Sequence, residues 1–111
     1  MARIEEYAQY IEAILRNYGQ YRPTYGDVEV QLVMDRERHH YQLLNVGWRG
    51  NQRVRGCVLQ LDIKDGKIWI QHDGTETGVA NELVEMGVPK SDIVLAFHAP
   101  YKRPYTGFAV N

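Results

Sequence analysis

The Asp65-Gly66 dipeptide constrains the fold of this 111-residue chain more than any other short feature. It separates two runs rich in apolar and β-branched residues, and a two-residue Asp-Gly loop between such runs predicts a hairpin with a type I′ turn. The turn fixes a register that pairs Lys64 with Lys67, Ile63 with Ile68, Asp62 with Trp69, Leu61 with Ile70, Gln60 with Gln71 and Leu59 with His72. Because side chains alternate along a strand, His72 is expected on the core face and Trp69 on the opposite face.

The first half of the chain changes from a helical to a strand period. Residues 3–18 carry apolar side chains at the i, i+3, i+4 and i+7 spacing of a core-facing helix. Gly19 is its expected C-cap, and Pro23 blocks any restart. From Val28 the period is two, which indicates strands. Three strands are predicted before the Asp-Gly turn, over 28–34, 41–48 and 54–64, with turns at 35–39 and 50–51.

In the third strand, a single alternation of inward and outward side chains cannot bury every apolar residue and expose every charged one. Continuing the apolar alternation of Leu59 backward would carry Arg55 and Arg53 into the core. A β-bulge at Gly56 would switch faces and send Val54 inward instead, since bulges and strand glycines commonly coincide. We therefore expect a bulge at Gly56.

A second helix is predicted after the hairpin. Asp73 and Glu76 have the spacing of a capping box, with Thr75 as the competing N-cap, and helical apolar spacing follows as far as Gly87. The run 93–97 predicts a buried strand or extended segment, and the tail 98–111 should drape over the domain or over a neighbour. The expected fold is α+β in a single domain, 1–111: an N-terminal helix, a four-stranded antiparallel β-meander, a second helix after the sheet, and a short C-terminal strand and tail.

Composition narrows the class of protein. The formal net charge of -1 gives no overall attraction to phosphates. The single cysteine, Cys57, excludes an intrachain disulfide and fits a reducing compartment. The chain has no apolar run of the roughly 20 residues that a membrane span needs and no secretory signal, so a cytoplasmic protein without membrane contact is expected.

No catalytic pattern or cofactor motif is found in the sequence. The four histidines, His39, His40, His72 and His98, match no metal-site spacing, and phosphate-binding loops are absent. Cys57 has apolar neighbours in its strand, which favours an inert thiol over a nucleophile. A small metal-dependent enzyme around His72, Asp73 and Glu76 is the weakest alternative, because helix capping explains both carboxylates. The sequence therefore predicts no enzyme, no cofactor and no metal.

Two surfaces are candidates for binding. A tryptophan on the polar face of a sheet suits contact with a partner or a second subunit, although a loop of the same chain would cover it equally well. With the aromatic, basic tail this tryptophan gives the predicted partner-binding residues: Trp69, Tyr101, Arg103, Tyr105 and Phe108.

The alternative is direct DNA binding through phosphate contacts. Its candidate residues are Arg49, Arg53, Arg55 and Lys102, with Arg103. Charges that protect a sheet edge from aggregation account for the arginines equally well.

Three ordered segments resemble the XisI family, the excision controlling factors of heterocyst-forming cyanobacteria. They are L-D-I-K-D-G-K-I-W-I-Q-H-D-G-T-E (61–76), A-N-E-L-V-E-M-G-V-P-K-S-D-I-V-L-A-F (80–97) and P-Y-K-R-P-Y-T-G-F-A-V (100–110). The N-terminal helix and Gly47-Trp48 also fit, so the resemblance covers essentially the whole chain.

The resemblance implies a non-catalytic control factor. Such proteins are associated with site-specific excision of a DNA element from the nitrogen-fixation gene fdxN during heterocyst development. They act beside a separate recombinase and are typically paired with a second small protein, XisH. An XisH-like protein is thus the implied partner, with a homo-oligomer and DNA as further candidates.

Overall fold

Helix α1 (Ala2–Gly19) lies against one face of a β-sheet in the computed structural model, which describes residues 2–21 and 26–111. Its apolar stripe buries Ile11 and Leu15 completely, as the helical spacing predicts. The helix ends at Gly19, the residue at which the sequence predicts the helix end. The predicted role of Pro23 lies outside the described residues.

The sheet has five strands in the order β1 (Asp27–Asp35), β2 (His40–Arg49), β3 (Gln52–Lys64), β4 (Lys67–Asp73) and β5 (Ile93–Leu95). The first four form the predicted antiparallel meander. The short C-terminal strand β5 joins the sheet parallel to β4, so the sheet is mixed. A parallel neighbour requires a crossover connection, and helix α2 (Val79–Glu85) supplies it.

One sheet face, which we call the core face, carries the hydrophobic core. Tyr41, Leu43, Leu59, Leu61 and Ile70 are buried there together with residues of both helices. We call the opposite side the outer face; alternation places Leu44, Val46 and Trp48 of β2 on it. These three side chains are half-buried or exposed. The sheet is thus covered by helices on its core face.

The Asp65-Gly66 hairpin forms as predicted, and its register holds as far as Leu61 opposite Ile70. Both turn residues have positive φ, 54° and 76°, as a type I′ turn requires. Beyond that point the predicted pairs of Gln60 with Gln71 and of Leu59 with His72 are wrong. The register shifts, so that Gln60 faces His72 and Leu59 faces Asp73.

A β-bulge at Gln71 explains the shift, because two residues of β4 then oppose one residue of β3. Every later side chain of β4 changes face. His72 is therefore exposed on the side of Gln60 rather than directed into the core, and Asp73 takes the core-face position that His72 was expected to hold.

The face switch expected in β3 also occurs, but not at Gly56. Leu43 faces Leu59 and Leu44 faces Cys57, which leaves Val58 as the additional residue. Arg53 and Arg55 consequently lie on the outer face, and Val54 lies opposite Gly47 on the core face. The bulge also places Cys57 on the outer face, although Leu59, two residues later, lies on the core face.

Helix α2 begins at Val79, so the predicted capping box is wrong in position. The Asp73 carboxylate instead organises the preceding loop. Its Oδ1 accepts hydrogen bonds from the backbone N–H and the hydroxyl of Thr75 at 2.9 and 2.6 Å. Its Oδ2 accepts the Val79 N–H at 2.9 Å, which satisfies one of the free donors at the helix start. Glu76 is exposed in this loop.

The C-terminal segment lies along the β5 edge of the sheet. The strand ends at Leu95, so Phe97 is exposed rather than part of a buried run as predicted. A 3-10 helix follows at Pro100–Tyr105. Ala109 then forms a parallel bridge with Val94 and donates its N–H to the Ile93 carbonyl at 2.8 Å. The tail thus packs on its own domain.

No helix within the described residues is long and apolar enough to cross a membrane.

Candidate interaction surface

Trp69 lies on the outer face of β4, opposite Asp62, as the hairpin register predicts. Its indole Nε1 donates a hydrogen bond to the Lys64 carbonyl at 3.1 Å. The Lys64 ammonium lies 4.9 Å from the ring centroid, and the Arg103 guanidinium carbon lies 5.6 Å from it. The ring is half-buried, so cations of the same chain partly cover it.

Arg103 fastens the C-terminal segment to the sheet. Its Nε donates to the His98 carbonyl at 3.1 Å, and its Nη2 donates to the Ala96 carbonyl at 3.4 Å. Nη1 lies 3.5 Å from the Val110 carbonyl. Because one planar guanidinium bonds to both ends of the segment and stacks on Trp69, Arg103 is a scaffold for the surface around it.

The two tyrosines of the 3-10 helix project into solvent. Tyr101 is 72% exposed and Tyr105 is 89% exposed. The Lys102 ammonium lies 5.9 Å from the Tyr101 ring centroid. Phe97 and Val110 are exposed on the same segment. We call this set the C-terminal aromatic surface: Phe97, Tyr101, Tyr105 and Val110.

The exposure of Phe97 and Val110 was not predicted from the sequence. The apolar run 93–97 looked uniformly buried, yet β5 needs only three residues to pair with Ile68, Trp69 and Ile70. The turn that follows, closed by the His98 N–H to the Leu95 carbonyl, carries Phe97 outward. The nearby Pro100 was the available signal, since a proline discourages a strand from continuing.

Phe108 differs from the other predicted partner-binding residues. Its side chain is partly buried and packs against the core, and the Lys90 ammonium lies 5.7 Å from its ring. It holds the tail in place next to the Ala109–Val94 bridge. Of the five predicted residues, Tyr101 and Tyr105 are therefore the ones freely available to a partner.

The structure divides the predicted DNA-binding residues. Arg53 and Arg55 share the outer face near the β2–β3 turn, while alternation directs Arg49 to the other face. Lys102 lies in the C-terminal segment. That segment is fastened to Trp69, which lies roughly 30 Å along the sheet from Arg53 at about 3.3 Å per residue. No single patch of these residues forms, and direct DNA contact stays a prediction.

The alternative enzyme site is occupied by structural hydrogen bonds. Both oxygens of Asp73 are engaged in the loop before α2, and His72 and Glu76 are exposed. Within residues 2–21 and 26–111, no group of three or more potential metal ligands converges. Burial raises the pKa of the Cys57 thiol, which disfavours the reactive thiolate.

An ion pair joins α1 to the β1–β2 turn, and a short hydrogen bond joins it to the 3-10 helix Lys90–Asp92 that precedes β5. Glu12 is 7% exposed, and Arg36 donates to its two carboxylate oxygens at 2.7 and 2.9 Å, which holds the pKa of Glu12 below its usual value. Tyr7 donates to Asp92 at 2.5 Å. Burial, followed by this bond, raises the pKa of Tyr7 to about 12.

These features define a small α+β domain with an exposed aromatic surface held by its own C-terminal segment. Comparison with known proteins then gives the family. The profile of the XisI protein family matches residues 1–110, and the chain belongs to this family.

Two crystal structures from Anabaena variabilis ATCC 29413 resemble the chain. A XisI-like protein superposes with a TM-score of 0.92 at 50% identity, over 97% of this chain and 99% of the other. The fdxN element excision controlling factor XisI superposes with a TM-score of 0.87 at 35% identity, over 98% and 99%. No curated protein matches the chain in sequence.

Proposed function

We propose that this chain is a non-catalytic accessory factor that controls site-specific excision of a DNA element by binding an XisH-like protein. One observation carries the binding step: Tyr101 and Tyr105 stand exposed on a segment that Arg103 and Trp69 hold in place. The excision role is taken over from the XisI family and from the excision controlling factor that the chain resembles.

The chemistry of the C-terminal aromatic surface favours a protein partner. Tyrosine is enriched at interfaces because it gives a large apolar area with a polar tip and few rotatable bonds. The Arg103 hydrogen bonds restrict the segment before binding, which reduces the entropy lost on association. Lys102 beside Tyr101 adds positive charge, so the complementary surface should be apolar with carboxylates at its rim.

The same geometry argues against chemistry in this chain itself. A general acid or base needs a free carboxyl or imidazole aimed at a substrate. Asp73 is committed to the α2 loop through both oxygens, and the pKa of Cys57 is raised. A nuclease or recombinase activity would therefore come from the partner.

The test is co-purification with the XisH-like protein encoded nearest to this chain in its genome. We expect the double variant Tyr101→Ala/Tyr105→Ala to lose the partner while its unfolding midpoint stays near that of the wild type. Tyr21→Ala is the matched control, since Tyr21 is a 69% exposed tyrosine that follows the end of α1. Retention of the partner by the double variant at wild-type level would contradict the proposal.

Two simpler variants are less informative. Trp69→Ala would remove the ring under Arg103 and so loosen the segment as well as the surface. Truncation after Pro100 would delete Phe108 and the Ala109–Val94 bridge. The tyrosine pair changes the surface and leaves this scaffold in place.

A further inference from the structure

The outer face of β1–β3 carries an ordered pattern of charge. The register aligns Asp27, Trp48 and Arg53 across the three strands in one row. The row two residues earlier in β2 aligns Glu29, Val46 and Arg55. Both rows therefore run from acidic on β1, through apolar on β2, to basic on β3.

None of the salt bridges among the described residues involves these four charged side chains. Glu29 accepts a hydrogen bond from the Gln31 amide at 2.8 Å, and Arg53 donates to the Gly47 carbonyl at 3.3 Å, so the four charges are left without an opposite charge in that part of their own chain. Trp48, in the middle of the first row, is 50% exposed even though the Arg53 guanidinium carbon lies 5.3 Å from its ring centroid. Shallow depressions of about 330 and 250 Å³ flank Val46 on its two sides.

We propose that a second copy of this chain packs on this outer face, about a two-fold axis that runs parallel to β2 between the sheets. A rotation by 180° about such an axis exchanges the β1 and β3 sides and keeps the position along the strands. Glu29 of each copy then lies over Arg55 of the other. Asp27 lies over Arg53 in the same way. Val46 and Trp48 of the two copies then face each other along the two-fold axis.

The pattern is self-complementary only under this operation. Isologous interfaces require that the same patch fit itself, and aligned sheets pack face to face about 10 Å apart. A shift along the strands by one residue would move these charges off their partners. The two acid–base pairs therefore select both the partner and the register.

The size of the overlap sets the expected strength. Three strands about 4.8 Å apart and about 30 Å long give roughly 430 Å² in projection. Standard interfaces bury about 800 Å² of accessible surface per partner, so the dimer should be weak and form in the micromolar range. β4 and the C-terminal aromatic surface lie outside the overlap, so this dimer does not depend on the proposed function.

The test is a charge-reversal exchange followed by sedimentation equilibrium from about 5 to 500 μM at low salt. The wild type should dimerise, and Glu29→Arg alone or Arg55→Glu alone should weaken the dimer at least about tenfold, since like charges then oppose each other twice. An equimolar mixture of the two variants should dimerise like the wild type. In the mixed dimer one contact pairs the introduced arginine with the introduced glutamate, and the other keeps the native pair.

Controls separate this surface from other routes to a dimer. Glu85→Arg on α2 and Arg38→Glu in the β1–β2 turn reverse exposed charges elsewhere and should leave dimerisation unchanged. A wild type that stays monomeric to 500 μM would overturn the proposal. A dimer that ignores Arg55→Glu would also overturn it, and would point to pairing through the β1 edge instead.

Discussion

The Arg103 guanidinium carbon lies 5.6 Å from the centroid of the Trp69 ring. This contact joins the tail to the sheet and explains why a segment with two prolines has a defined place. The tryptophan that looked like a free docking site from its position on the outer face serves first as a platform for its own chain. The proposed function therefore assigns binding to the tyrosines of this segment rather than to Trp69.

Replacing Arg103 should loosen this segment. Arg103→Ala removes charge-assisted hydrogen bonds to the Ala96 and His98 carbonyls together with the contact on Trp69. We expect the free energy of unfolding in urea to fall by about 1–3 kcal/mol. Lys102→Ala, next to it in the chain and exposed, should stay within about 0.5 kcal/mol of the wild type. Equal effects of the two variants would contradict the scaffold role of Arg103.

The start of α2 should depend on Asp73 and not on Glu76. Asp73→Ala leaves the Val79 N–H without its acceptor and is expected to cost about 1–2 kcal/mol of stability. Glu76→Ala should be nearly neutral, because Glu76 is exposed in the loop. The free energies of unfolding of both variants, measured in denaturant, distinguish the two cases. A larger loss from Glu76→Ala would restore the capping box that the sequence suggested.

The Glu12–Arg36 ion pair should make stability fall in acid. The folded-state pKa of Glu12 is lowered by its bonds to Arg36, so its contribution is complete above its ordinary value near 4.5. The contribution is lost as the pH falls through the lowered folded-state pKa. Glu12→Gln should therefore be less stable than the wild type at pH 7, with the difference narrowing below about pH 4.5. A difference that is constant from pH 7 to pH 2.5 would contradict this account.

Cys57 reports on the proposed dimer. It lies on the outer face opposite Leu44, inside the overlap of the two sheets. Its labelling by a maleimide at fixed reagent excess should slow as protein concentration rises, and Glu29→Arg should abolish that dependence. Unfolded protein gives the unprotected rate. A labelling rate independent of concentration in the wild type would speak against burial of this face.

The sequence predicted much of the fold because its local signals were explicit. The Asp-Gly turn determined four cross-strand pairs correctly, and helical spacing located α1. The failures at His72 and Gly56 share one cause. A β-bulge adds a residue without a distinctive residue type, and after it every side chain changes face. Gln71 and Val58 carry no local sign that either would be the extra residue.

The surfaces were harder to predict than the elements. Phe108 of the tail packs inward and Tyr105 points outward. An aromatic residue in the sequence of a tail does not by itself indicate which of the two it will do. What separates them is the route of the segment past Ala96 and Val94, which depends on contacts far apart in the chain. The charge rows on the outer face likewise arise from strand pairing and are invisible along the sequence.

The central claim is that Tyr101 and Tyr105 bind an XisH-like protein. Titration calorimetry of the purified partner with the wild type and with Tyr101→Ala/Tyr105→Ala tests it most directly. We expect a saturable complex for the wild type and a dissociation constant at least about tenfold larger for the double variant. Tyr21→Ala should bind as the wild type does. Equal affinities of the wild type and the double variant, or no heat with either protein, would contradict the account.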